Sequence, residues 1–158
     1  MLDYSNFNAR KAGKYGDIWT NTGKCVFCDL KDKFIIAKNA NAALTVNLFP
    51  YIDGGLLVIP KKHVEDFLEI TPKAWSDMRN LAELGIKLLR KELEVGDIWL
   101  NYKTSKGFSA GKSVSHGHLG VMPYKDGIMS WNYQDITISP LDLGERLRNS
   151  KLMDEVDK

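Results

Sequence analysis

Two of the three histidines in the chain, His116 and His118, stand two residues apart in Lys112-Ser113-Val114-Ser115-His116-Gly117-His118-Leu119-Gly120-Val121-Met122-Pro123. Imidazole titrates near neutral pH and serves as metal ligand, proton carrier or nucleophile. Val114, Leu119, Val121 and Met122 favour a strand, which Pro123 would end. Alternate side chains of a strand share a face, so the spacing predicts Val114, His116, His118, Gly120 and Met122 along one side. Taken alone, a His-x-His pair is weak evidence and also fits a bland core strand. Both cysteines fall in one motif, Cys25-Val26-Phe27-Cys28. In a cytosolic protein that spacing means zinc, thiol redox chemistry or chance. The redox reading wants the pair at a helix N-terminus inside a βαβ unit, and no strand pattern precedes Cys25. Zinc needs more ligands, and His63, His116 and His118 are the histidines on offer.

The elements that must position these residues are mostly short. Residues 1–24 are polar and rich in Lys, Asn, Thr and Gly, a loosely structured lead-in. Residues 34–37 and 43–47 have strand composition and flank a plausible hairpin turn at 38–41. A loop with one proline and two glycines, residues 48–55, leads to a continuous apolar strand over 56–59, closed by Pro60. His63 follows, then a short helical piece to about Ile70. Thr71-Pro72 supplies an N-cap hydroxyl and a proline suited to the first helical position. Trp75, Met78, Leu81, Ala82, Leu88 and Leu89 then recur at helical spacing, a stripe that reads as core rather than as a ligand site. Gly85 within it costs about 1 kcal/mol relative to alanine, which suggests close packing on a sheet. Gly96 fits the helix stop.

Residues 97–102 read as a strand, followed by a basic, glycine-containing loop over 103–111. After Tyr124 the chain offers one more possible strand, 135–139, and a short helix from Ser139-Pro140 before a tail expected to fray. Strands grouped on both sides of one long helix are not the alternation of a parallel α/β fold. They predict an α+β domain whose antiparallel sheet has about five strands, with one long and one short helix.

A chain of 158 residues suits one domain with a real core. Its 44% hydrophobic and 27% charged residues are ordinary for a soluble globular protein. A net charge of +2 argues against a broad electrostatic surface for DNA or membranes. The N-terminus lacks a signal-peptide pattern, and no run approaches the ~18 apolar residues that a span requires, so a cytoplasmic setting is expected.

With these residues in view, the chain resembles the histidine triad (HIT) superfamily, whose signature is His-φ-His-φ-His-φ-φ with φ apolar. Gly111-Lys112-Ser113-Val114 stands where members read Gly-Gln-Ser-Val. The run from Leu57 to His63 is similar to their Leu-Val-Ile-Pro-Lys-x-His. Asn47-Leu48-Phe49-Pro50 sits where members place the residue that holds a ribose, and Asn101 falls near a family asparagine. The resemblance implies a HIT-like domain over 25–125, between the lead-in and a C-terminal extension, 126–158, packed on or near the active site. It implies structural zinc on Cys25, Cys28, His63 and His116, a donor set right for a closed tetrahedral site. It implies that His118 attacks an α-phosphorus to form a nucleotidyl-histidine. Asn47 would contact the ribose and Leu48 the base, and Ser113, Lys112 and Asn101 would serve the phosphate. A homodimer is implied as well.

The substrate class would be a nucleoside phosphoramidate, a dinucleoside polyphosphate or a similar conjugate. Two departures stand out. Gly120 replaces the third histidine, and Lys112 replaces the usual glutamine. Losing one donor to a transition-state oxyanion costs ~10²–10³ in rate, although a lysine nearby substitutes in part. The space vacated at Gly120 would admit a bulkier leaving group. The alternative is therefore a nucleotide-binding module with weakened or lost catalysis. A zinc-stabilised interaction domain without a nucleotide role is a third reading.

Overall fold

The computed structural model describes residues 5–14, 21, 23–107, 112–124 and 137–155. The chain forms two compact units, Met1–Ile128 and Met129–Lys158. The first holds five strands, β1 (Ile35–Lys38), β2 (Ala42–Val46), β3 (Leu56–Pro60), β4 (Ile98–Tyr102) and β5 (Leu119–Pro123). They make one sheet in the order β1-β2-β3-β5-β4, with every neighbouring pair antiparallel. Helix α1 (Ser5–Lys11) precedes the sheet, and the long helix α2 (Pro72–Leu93) connects β3 to β4. The second unit holds helix α3 (Pro140–Arg148) and a 3₁₀ turn, Lys151–Glu155. This is the expected α+β architecture. No helix of the described residues is long and apolar enough to cross a membrane.

Local chemistry explains most of the boundaries. The β1–β2 turn closes because Asn39 Oδ1 accepts from the backbone N–H groups of Asn41 and Ala42, at 3.3 and 3.0 Å. Helix α2 starts at Pro72 with the Thr71 hydroxyl accepting from Ala74 N, as the sequence predicts. Its Met78, Leu81, Ala82 and Leu89 pack on Leu44, Leu56, Val58, Leu119 and Val121, one face of β2, β3 and β5. Gly85 lets the helix approach closely at that contact. A Cβ there would stand 3.3 Å from Leu44 Cδ1 and 3.4 Å from Leu56 Cδ1. Helix α3 likewise begins at Pro140, capped by the Ser139 hydroxyl.

Several expectations need correction. The lead-in contains α1. Glu94, not Gly96, closes α2, in the left-handed region at φ 54°. Of the strand expected at 135–139, residues 135 and 136 lie outside the described residues, and 137–139 bend into the α3 cap. The histidine strand is also shorter than predicted. β5 begins at Leu119, and residues 113–116 form bends. The cause lies in β3, whose last residue is Pro60. Proline has no N–H to continue a ladder. Beyond it, the histidine segment bonds to the chain after β3, with Gly117 N donating to Val64 O at 2.7 Å.

Candidate functional site

His116 is fully buried at 0% exposure, and its two ring nitrogens face different partners. Nε2 lies 2.9 Å from Pro60 O, and because a carbonyl only accepts, Nε2 carries the proton. Nδ1 therefore presents a lone pair. It faces two sulfurs, Cys25 Sγ at 3.5 Å and Cys28 Sγ at 3.6 Å. His63 Nδ1 lies 3.3 Å from Cys28 Sγ, while its Nε2 stands 3.6 Å from Glu65 Oε1. The four donor atoms lie within 4.8 Å of one another.

Donors about 2.0–2.3 Å from a tetrahedral zinc stand about 3.3–3.8 Å apart, which the three sulfur–nitrogen distances above already match. Each imidazole has an oxygen behind its other nitrogen, the arrangement that orients metal-binding histidines. Burial, with the neighbouring His63, drives the His116 pKa down to about 4 and keeps it neutral. Burial, followed by the Cys25 contacts, pushes the Cys28 thiol pKa up. The four residues could hold a metal ion, and their chemistry suits zinc.

His118 lies two residues further along. Its Nδ1 is 2.9 Å from the His116 carbonyl, so Nδ1 carries the proton and Nε2 keeps its lone pair. Burial lowers its pKa, the His116 carbonyl opposes that shift, and the Lys103 and Lys112 charges add to the lowering. A neutral imidazole results, tied to the backbone of His116. Phe27 stands edge-on to it, with ring centroids 5.1 Å apart.

A cavity of about 300 Å³ shares Phe27 with this group, although neither His118 nor Ser113 is among the residues that line it. Asn47 and Leu48 line it from the end of β2, and Phe27, Leu30 and Phe34 supply apolar surface. Asn47 is anchored by its Oδ1, which accepts from Phe49 N at 3.0 Å. Ser113 is half-buried in the bend before His116. Two other predicted residues have different surroundings. Lys112 is 4% exposed and does not line the cavity. Its ammonium donates to Glu65 O and Ser115 O, both at 3.0 Å, and also to Ser105 O. Asn101 pairs with Gly120 across β4 and β5. A Cβ on Gly120 would stand 2.8 Å from Asn101 Nδ2 and 3.0 Å from its Oδ1. The space expected to be free at Gly120 is therefore taken by that amide.

The sequence reading missed two supporting groups. Glu65 accepts from Gly107 N at 2.8 Å and backs His63. Hydrogen bonds from Gly107 and Ser115, in that order, hold its pKa below the usual carboxylate range. Tyr102 packs its hydroxyl against Gly117, where a Cβ would come within 2.0 Å of the oxygen. A small residue between the two histidines was the available signal for that contact.

A HIT domain model matches residues 30–127. An uncharacterized HIT-like protein of Mycoplasma genitalium is 36% identical over 112 residues, covering 67% of this chain and 77% of its own. The asymmetrical bis(5'-nucleosyl)-tetraphosphatase of Schizosaccharomyces pombe is 29% identical over 104 residues, covering 66% of this chain and 55% of that enzyme. The crystal structure of a HIT family protein from Bacillus anthracis shares the fold, with a TM-score of 0.69 at 20% identity over 84% of this chain and 97% of that one. A zinc-bound histidine triad family protein from Mycobacterium smegmatis aligns with a TM-score of 0.57 at 25% identity, covering 66% of this chain and 78% of that one.

Proposed function

This chain belongs to the HIT domain family, and from that premise we propose that it is a nucleotide hydrolase or nucleotidyltransferase working at an α-phosphate through His118. The observation that carries the reading is the state of His118. It is neutral, with Nδ1–H held by the His116 carbonyl and the Nε2 lone pair left for attack. In the proposed first step the Nε2 pair forms a bond to the α-phosphorus. The bond to the leaving group breaks, and its electrons depart with that group, which takes up a proton. In the second step a water or another acceptor gives its oxygen pair to phosphorus and its proton to solvent. The phosphorus–nitrogen bond then breaks, returning its pair to Nε2. Splitting one displacement into two is the advantage of covalent catalysis.

The other roles are assigned by the resemblance to the family. Asn47 meets the ribose and Leu48 the base in the cavity whose Phe27 wall stands against the histidine rings, and Ser113 and Asn101 hydrogen-bond the phosphoryl oxygens. Cys25, Cys28, His63 and His116 hold zinc, whose closed set of four protein ligands makes it structural. Substrates are nucleoside phosphoramidates, dinucleoside polyphosphates or related conjugates, a range to which the similar tetraphosphatase lends support. The same reading makes the protein a cytoplasmic homodimer.

A turnover assay on zinc-loaded protein tests this, with adenosine and guanosine phosphoramidates, dinucleoside polyphosphates and nucleotide sugars, with and without phosphate. Turnover in the wild type that disappears in His118→Ala is expected. Equal rates in both proteins would remove His118 as the nucleophile. A second reading, a nucleotide-binding module with little catalysis, is favoured by the glycine at position 120. It would prevail if both proteins bind AMP and neither turns any substrate over.

A further inference from the structure

The Cys25–Cys28 segment does two things at once. Its sulfurs face His63 and His116, and its intervening residues form a wall of the cavity. Lys24, Val26, Phe27, Asp29 and Leu30 line the same cavity as Asn47 and Leu48. Phe27 is the hinge of the arrangement. It lies between the two cysteines in sequence, faces the cavity, and stands 5.1 Å from the ring of His118 and 6.0 Å from that of His116.

The segment belongs to no strand or long helix. It is a turn, closed locally by Cys28 N and Asp29 N donating to Cys25 O at 3.1 and 3.2 Å. Its sulfurs tie it to two histidines that lie far away in the chain. Both Nδ1 atoms point at the sulfurs, so without a cation only weak S–H···N hydrogen bonds hold the turn to the histidines. A metal ion turns those contacts into a cross-link from the turn to His63 and to the His116–His118 segment.

We propose that the metal centre and the nucleoside cavity are coupled through the Cys25–Cys28 turn, so that metal occupancy sets nucleotide affinity, with Phe27 as the positioning residue. This rests on the cavity being the nucleoside site. An ordered turn presents Phe27 to an incoming base at no further cost, whereas a loosened turn must be ordered by the ligand itself. Coupling between two sites is reciprocal. Whatever factor the metal adds to nucleotide affinity, the nucleotide adds to metal affinity.

The test is a closed cycle on the full chain. AMP binding is measured by calorimetry on zinc-loaded and chelator-treated protein, and zinc affinity by competition with a chelator, with and without saturating AMP. The expected result is AMP binding at least about fivefold weaker without zinc, with zinc held tighter by the same factor when AMP is present. Equal AMP affinity in the two forms, both showing native circular dichroism, overturns the coupling. Phe27→Ala leaves all four donors in place. It is expected to bind one zinc per chain and to bring the factor close to one, and an undiminished factor removes Phe27 from the link. If the metal-free chain loses its native circular dichroism, the zinc-loaded Phe27→Ala protein decides alone. It must then bind AMP at least fivefold more weakly than wild type, and unchanged affinity overturns the proposal. No AMP binding by the zinc-loaded wild type brings down the cavity assignment itself, a different failure from equal binding in both forms.

Discussion

Gly120 and Asn101 act as one site. The third histidine of the family pattern is absent here, and the amide of Asn101 covers the position from which that imidazole would project. Gly120→His alone is therefore expected to lower the melting temperature without restoring a triad. Pairing it with Asn101→Ala should recover most of the lost stability, which thermal unfolding of the three proteins would show. A fully stable single variant would contradict this account of the contact. Lys112 teaches a related lesson. A lysine ahead of Ser-Val suggests a phosphate ligand, because in a sequence a cation carries only its charge. Its three carbonyl partners come from Glu65, Ser105 and Ser115, which no local pattern announces. Lys112→Met would leave those carbonyls without their donor. A loss of roughly 1–3 kcal/mol in chemical denaturation is expected, because part-buried acceptors lose their donor. The Cys25, Cys28, His63 and His116 set was legible through the family resemblance, since rarity alone left three histidines as candidates. The orienting Pro60 carbonyl was not, since any residue offers one.

Among the elements, caps and turns were the legible features. Thr71-Pro72 and Ser139-Pro140 start helices as written, because the hydroxyl and the proline act within one turn of the chain. Ends decided by tertiary contact were not legible. Glu94 takes a left-handed conformation that glycine accepts more readily, and β5 begins only at Leu119, where β3 still has ladder donors. The short 3₁₀ element, Phe67–Glu69, joins the histidine region to the loop after β4. Asp66 caps it by accepting from Leu68 N at 3.0 Å, and the Thr104 hydroxyl donates to the same carboxylate at 2.8 Å. Those two bonds, the Leu68 one first, hold the Asp66 pKa below its ordinary value. A depressed folded pKa stabilises above the unfolded value, and the contribution fades as pH falls through the folded one. Asp66→Asn should thus melt below wild type at pH 7, with the gap closing in strong acid. Melting curves across that range check it, and a gap independent of pH would place the stabilisation outside the carboxylate.

For the whole molecule, the class of fold was readable from element order, whereas strand order was not, because pairing partners lie far apart in sequence. Sheet edges fall at β1 and β4, and on β4 Leu100 is 50% exposed. The proposed homodimer gives that edge an obvious use. Sedimentation at micromolar concentration should show twice the chain mass, and Leu100→Asp should shift the species toward one chain. A single-chain mass for the wild type would dispose of the dimer. The strand order has a consequence for synthesis. β5 lies between β3 and β4 but is made after both, with Leu57 paired to Gly120 and Asn101 to the same residue from the other side. A growing chain that has released β4 holds a three-stranded meander and an orphan strand, separated by the width of the missing one. Cys25, Cys28 and His63 leave the ribosome together with these pieces, while His116 and His118 arrive only with the strand that closes the gap. Insertion of β5 thus completes the core and seats the proposed fourth ligand and nucleophile, which lie just ahead of it, so a chain terminated before residue 116 has neither a closed sheet nor the proposed centre.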